Sequence, residues 1–197
     1  MAQITGKATL LFDRPPRIIG AASIVGSKES DGPLGHLFDC IEEDPKFGKN
    51  TWEEAESELQ LRTARKVLEK TGLTEEEVRY LFAGDLLAQG IATSYGIMEL
   101  QIPLFGLYGA CSTCGESLSL AAMCISAGYA SAEKEFRFPL EYAGQRPLST
   151  TWTVTGAGAF LLASEDFLSA SPSSVCITGI TTGKIVDYGV KDSMHMG

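Results

Sequence analysis

The chain has 197 residues, 44% hydrophobic and 21% charged, which is enough for one domain with a sizeable core and too apolar for a disordered segment. A formal net charge of -9 sets it against nucleic-acid phosphates and anionic lipid headgroups as general partners. A small anionic ligand is still compatible with that charge where a helix end or a local arginine reverses the field inside a pocket.

The N-terminal Met1-Ala-Gln-Ile-Thr-Gly6 lacks the basic region and apolar core of a signal peptide. No apolar run reaches the ~18 residues of a membrane span. The least charged stretch, residues 101–131, carries Glu116 and many Gly, Ser and Thr residues, and reads as a buried strand followed by a helix. Five cysteines (Cys40, Cys111, Cys114, Cys124, Cys176) form an odd set without framework spacing, which predicts reduced thiols in a cytosolic compartment.

In chain order, residues 9–12 and 18–25 read as short strands, separated by a turn at Asp13-Arg-Pro-Pro-Arg17. Residues 27–39 read as a long irregular loop, punctuated by Gly32-Pro33 and Gly35, of the kind that covers something. Asn50-Thr-Trp-Glu-Glu54 opens a helix capped by Thr51, with Ala55, Leu59, Ala64, Val67 and Leu68 as its apolar stripe and Gly72 as its end. Thr74-Glu-Glu-Glu77 repeats the capping-box pattern for a short helix. Residues 81–83 read as a strand ending in Gly84-Asp85, residues 90–100 as a helix, and residues 102–108 as the next strand.

From Ser112 to Gly128, Leu118, Ala121, Ala122 and Ile125 mark one buried helix face, and the many small residues predict close packing on all sides. A charged and aromatic segment follows, from Glu133 to Tyr142. Residues 150–154 and 159–163 read as strands joined by a tight turn at Gly156-Ala-Gly158, and residues 175–181 and 184–188 as a second pair turning at Gly183. Alternating helix and strand predict an α/β sheet with parallel strands, and ligands collect at the carboxyl ends of such strands. Gly84-Asp85 and Ala110-Cys111 both fall there.

Cys111 stands between an apolar strand and a helix N-terminus, whose free N–H groups and dipole stabilise a thiolate. A nucleophilic thiol also needs a base and an oxyanion stabiliser. The two histidines, His36 and His195, are not placed near it by the sequence. An inert core cysteine is the plainer alternative. Cys111-Ser-Thr-Cys114 also has the C-x-x-C spacing of a dithiol redox pair, whereas a zinc site lacks a second pair. Asp85 reads either as a ligand-facing acid or as a turn residue that accepts backbone donors. Arg137 and Arg146 could hold a carboxylate, or pair with Glu133, Glu135 or Glu141 on the surface.

Asp31-Gly-Pro-Leu-Gly-His-Leu-Phe-Asp39, Ala83-Gly-Asp-Leu-Leu87, Tyr108-Gly-Ala-Cys-Ser-Thr113, Phe136-Arg-Phe-Pro-Leu-Glu-Tyr142, Thr153-Val-Thr-Gly-Ala-Gly-Ala159 and Gly183-Lys-Ile-Val-Asp187 together resemble the stage V sporulation protein AD family of endospore-forming bacteria. The resemblance implies a thiolase-like fold akin to ketoacyl synthase III, layered α-β-α, with residues 1–197 forming a single domain that comprises its N-terminal half and the start of the second. It implies binding of dipicolinic acid, as its calcium chelate, and uptake of that acid into the developing spore. The work is done beside other proteins of the same sporulation operon, at the cytoplasmic side of the spore inner membrane and peripheral to it. No organic cofactor or protein-bound metal is implied. Cys111 takes the place of the acyl-accepting cysteine of thiolase-fold enzymes, and Cys111, Ser112, Thr113 and Asp85 are the candidate ligand-binding set.

The family pattern continues beyond Gly197, where condensing enzymes keep a catalytic His and Asn. Between Ser131 and Ala132 it has about a dozen further residues, a strand ending in Ser-Ser-His. A vestigial site that binds is therefore the expected reading. The rivals are an acyltransferase or condensing enzyme using Cys111 as nucleophile and, third, a C-x-x-C redox protein. Half of such a fold exposes apolar surface, which predicts a homo-oligomer.

Overall fold

Apolar residues alternate along the central strands so that successive side chains enter opposite faces of one sheet, as a period of two requires. The computed structural model describes residues 3–87, 89–109, 112–130, 155–167 and 175–184, and the backbone alone of residues 132–137. A six-stranded sheet is built from β3 (Arg17–Gly26), β4 (Cys40–Glu42), β5 (Tyr80–Gly84), β6 (Leu104–Leu107), β7 (Ala132–Arg137) and β8 (Gly156–Ala163), in the order β4-β3-β8-β7-β5-β6. β5 is parallel to both β6 and β7, and β3 to β4; β8 runs antiparallel to β3 and β7. A smaller antiparallel sheet sets β2 (Thr9–Leu11) between β1 (Gln3–Thr5) and β9 (Gly179–Thr181).

Helices cover both faces. Leu81 and Ala83 of β5 and Ala157, Ala159 and Leu161 of β8 pack with α2 (Trp52–Thr71) and with Ile97 of α3 (Ile91–Ile97). Phe82 and Leu162 point the other way, onto Ala121, Ala122 and Ile125 of α4 (Thr113–Ser126). This is the layered α-β-α arrangement expected. The stripe assigned to α2 is fully inside: Ala55, Leu59, Ala64 and Val67 are inaccessible and Leu68 is 4% exposed. Each of the larger side chains contributes about 1.5–3 kcal/mol by leaving water. The Thr51–Glu54 capping box forms and Gly72 ends α2 in the left-handed region at φ 69°.

Four expectations need correction. Residues 27–39 are not wholly irregular, because α1 (Ser27–Ser30) and a 3-10 turn over Gly35–Leu37 lie within them. Gly156-Ala-Gly158 is not a turn but the first part of β8, with Gly156 opposite Val25 and Gly158 opposite Ser23. The charged segment after Ser131 supplies β7, which takes the sheet position between β5 and β8. α4 is not packed on all sides, since Gly115, Glu116 and Leu120 are exposed. The strand expected over residues 150–154 and the arm expected over residues 184–188 fall, apart from Lys184, outside the described residues.

Candidate functional site

The parallel register of β5 and β6 sets Gly84 opposite Leu107, so both strands deliver their carboxyl ends to one rim of the sheet. α4 begins at the same rim. A Cβ on Gly84 would lie against the Leu107 carbonyl and 2.6 Å from Thr113 Cγ2, so the end of β5 and the start of α4 approach as closely as glycine permits. Thr113 is buried, and its hydroxyl accepts a hydrogen bond from the Gly109 N–H at 3.1 Å. Ser112 is exposed; its Oγ lies 2.7 Å from the Gly109 carbonyl and 2.5 Å from Glu116 Oε1, one hydrogen facing two acceptors. The Ser112 side chain therefore turns back on the strand-to-helix connection and does not cap α4. A Cβ at Gly109 would displace the Ser112 hydroxyl and the Glu116 carboxylate, the two side chains that meet over this connection.

Asp85, next after β5, is 1% exposed and faces α3. It accepts hydrogen bonds from the Gly90 N–H at 2.7 Å, the Thr93 N–H at 3.0 Å and the Thr93 hydroxyl at 3.0 Å. α3 starts at Gly90 with no capping side chain of its own, and Asp85 supplies that function from five positions upstream. Of the two readings the sequence left open, the hydrogen bonds are those of the turn residue.

Beneath Asp85 lies a carboxylate that the sequence reading did not single out. Glu56 of α2 has no exposed surface, and its Oε1 accepts from the Leu86 N–H at 3.2 Å and the Leu87 N–H at 3.5 Å. Desolvation, above all, pushes its carboxyl up to about 7, helped by the charge of Asp85. The helical period does place Glu56 on the buried face of α2, three residues before Leu59 and eleven before Val67, but a polar side chain there falls outside the apolar stripe.

The rim thus unites Thr113 and Ser112, with Asp85 following Gly84 in the chain and turned toward α3. Cys111, Arg146 and His195 lie outside the described residues, as do the side chains of Arg137, Glu133, Glu135 and Glu141. The other member of the C-x-x-C spacing, Cys114, is half-buried and forms no disulfide. His36 is exposed on the turn after α1. A cleft of about 460 Å³ between α2 and α3 is lined by none of the predicted site residues. Of its acids, Glu58 pairs with Lys49 and Arg62, Glu99 with Arg65, and Glu54 is held in the α2 capping box.

A family model described as stage V sporulation protein AD matches residues 6–197. Over 207 aligned residues the chain is 37% identical to stage V sporulation protein AD of Bacillus subtilis (strain 168), covering 99% of this chain and 60% of that relative. It therefore spans about 60% of the length of the curated relative it matches. Among solved structures it is similar to 3-oxoacyl-(acyl carrier protein) synthase III of Xanthomonas oryzae, at 19% identity and TM-score 0.54, covering 83% of this chain and 60% of the other. It is also similar to Xanthomonas campestris OleA with bound lauric acid and lauroyl-CoA, at 17% identity and TM-score 0.57, covering 83% and 60%. These likenesses establish the thiolase-like fold.

Proposed function

This chain belongs to the stage V sporulation protein AD family, and from that premise we propose that it binds dipicolinic acid at the rim formed by β5, β6 and α4 and supports uptake of the acid into the developing spore. The carrying observation is the uncapped N-terminus of α4 at the carboxyl ends of two parallel strands. The first-turn N–H groups of a helix are donors without intrahelical acceptors, and the macrodipole favours an anion before them. Cys111, Ser112 and Thr113 border that position in the chain, and Asp85 holds the neighbouring segment in place.

Glu116 bears on the form of the ligand. Its carboxylate sits at the same helix end, bonded by Ser112, and would repel a free dicarboxylate. The calcium chelate carries less negative charge, so on this reading the chelate is the species bound. The cation arrives with its own chelating atoms, which frees the protein from supplying a full ligand shell. Among the described residues no helix is long and apolar enough to cross a membrane, so work at the spore inner membrane alongside proteins of the same operon is proposed as peripheral attachment.

Titration calorimetry with dipicolinic acid, with and without calcium, tests the placement. Cys111→Trp should set a bulky side chain at that helix end and lower affinity by tenfold or more, about 1.4 kcal/mol. Equal affinity in that variant and the wild type would overturn it. The same protein incubated with acyl-CoA decides the rival: a covalent adduct on Cys111 in intact-mass analysis would make the site an acyltransferase's.

A further inference from the structure

Two side-chain oxygens inside the described fold are buried without a hydrogen-bond partner one helical turn apart on α2: Glu56 Oε2 and Gln60 Oε1. Both residues have no exposed surface. Two orphaned acceptors on successive turns of one helix face are unfavourable, since each keeps its desolvation penalty and gains no bond in return. Exchanging the amide atoms of Gln60 does not cure this. Its Nε2 donates to Thr93 Oγ1 at 3.2 Å, and the hydroxyl hydrogen of Thr93 is already given to Asp85 at 3.0 Å. Thr93 can therefore only accept from Gln60, which fixes the carbonyl oxygen of Gln60 on the side of the orphan.

We infer that Glu56 is held as a neutral carboxylic acid whose proton, on Oε2, serves the carbonyl of Gln60, and that this proton makes Glu56 a positioning residue for the segment that follows β5. One hydrogen then completes a chain with a single direction: Glu56 to Gln60, Gln60 to Thr93, Thr93 to Asp85. The other Glu56 oxygen keeps the N–H groups of Leu86 and Leu87. Asp85 accepts three hydrogen bonds and donates none, so the chain ends on a carboxylate and every link polarises the next. The charged groups acting on Glu56 are Asp85, from the segment after β5, and Glu53, on its own helix; both repel a second negative charge. β5 and α3 bring no ionisable side chain except the tyrosines Tyr80 and Tyr95. Because Gly84 touches Thr113, the segment held in this way adjoins the rim; its relevance to ligand binding rests on the function proposed above.

The test reads the proton directly and needs no ligand. Infrared difference spectra of wild type minus Glu56→Gln should show a protonated carboxylic acid band below neutrality that disappears as pH rises through about 7. Protection factors of the Leu86 and Leu87 amides in the wild type, corrected for the base-catalysed rise in intrinsic exchange, should fall tenfold or more over the same range. Glutamine imitates the protonated acid, accepting with its oxygen and donating with its nitrogen, so in Glu56→Gln the protection factors should lose that pH dependence. Should that variant fail to fold, the wild-type exchange profile still decides. A carboxylate signal for Glu56 below neutrality, or amide protection indifferent to pH in the wild type, overturns the inference.

Discussion

Asp85 is worth more to the fold than to a visiting ligand, because two main-chain N–H groups and a hydroxyl already converge on its buried carboxylate. Asp85→Asn puts an NH2 group where one oxygen accepts, so a donor meets a donor and a buried group goes unpaired. The expected loss is about 1–3 kcal/mol, read as a lower urea midpoint; an unchanged midpoint would show that these bonds add nothing. Glu56 gives a second prediction at this scale. Its folded pKa, raised from 4.5 to about 7, means that its contribution to stability is complete below the unfolded value and is lost as pH rises through the folded one. The loss is on the order of 3 kcal/mol. It should appear as a falling denaturation midpoint in the wild type and a flatter one in Glu56→Gln. The sequence located Gly84-Asp85 at the end of a strand because Gly-Asp after an apolar run is local information. It did not reveal which acid would be buried, since burial at Glu56 depends on where α3 and the segment after β5 come to lie.

Whole elements were legible where their boundaries are written in adjacent residues. α2 is the clearest instance: Thr51 accepts from the Glu54 N–H at 3.2 Å, Glu54 accepts from the Thr51 N–H at 3.1 Å, and Gly72 closes the helix in the left-handed region. Thr51→Ala removes one half of this box and should lower stability by about 1 kcal/mol, a fall of about 2–4 °C in melting temperature for a domain of this size. A melting curve that does not move would mean that the box is redundant with the packing of Ala55 and Leu59. β7 and the start of β8 were illegible for the opposite reason. Glu133-Lys-Glu carries no apolar alternation and Gly156-Ala-Gly158 carries turn residues, yet both lie in the sheet because neighbouring strands offer them ladders. That pairing is a long-range property, and it overrides local propensity. The connection from β6 to α4 was legible in position, as a strand running into a helix, while the role of Glu116 at its mouth emerges only from the fold.

At the scale of the whole molecule, one edge of the large sheet has the marks of an interface. β6 pairs with β5 on one side, and among the described residues no strand lies on its other side. Leu104, Phe105 and Tyr108 are 36%, 47% and 53% exposed, and Phe105 stacks on Phe82 at 4.8 Å, so the apolar face of this edge continues into the core. The Pro103 carbonyl accepts from the Leu81 N–H at 2.9 Å. Main-chain groups alternate sides along a strand, so those of Leu104 and Gly106 turn outward. An apolar edge with open N–H and C=O groups pairs with another strand unless charge or proline blunts it. A second copy of the chain would meet that need by a twofold axis beside β6, which would pair the edge with itself and close the assembly as a dimer. Light scattering on the purified chain should therefore give twice its 21.1 kDa mass. Leu104→Lys sets a charge on the edge without touching the Phe105–Phe82 stack, so it should return the chain to the monomer mass with its circular dichroism unchanged. A wild-type monomer at micromolar concentration, or a Leu104→Lys variant that remains a dimer, would place the association elsewhere on the molecule.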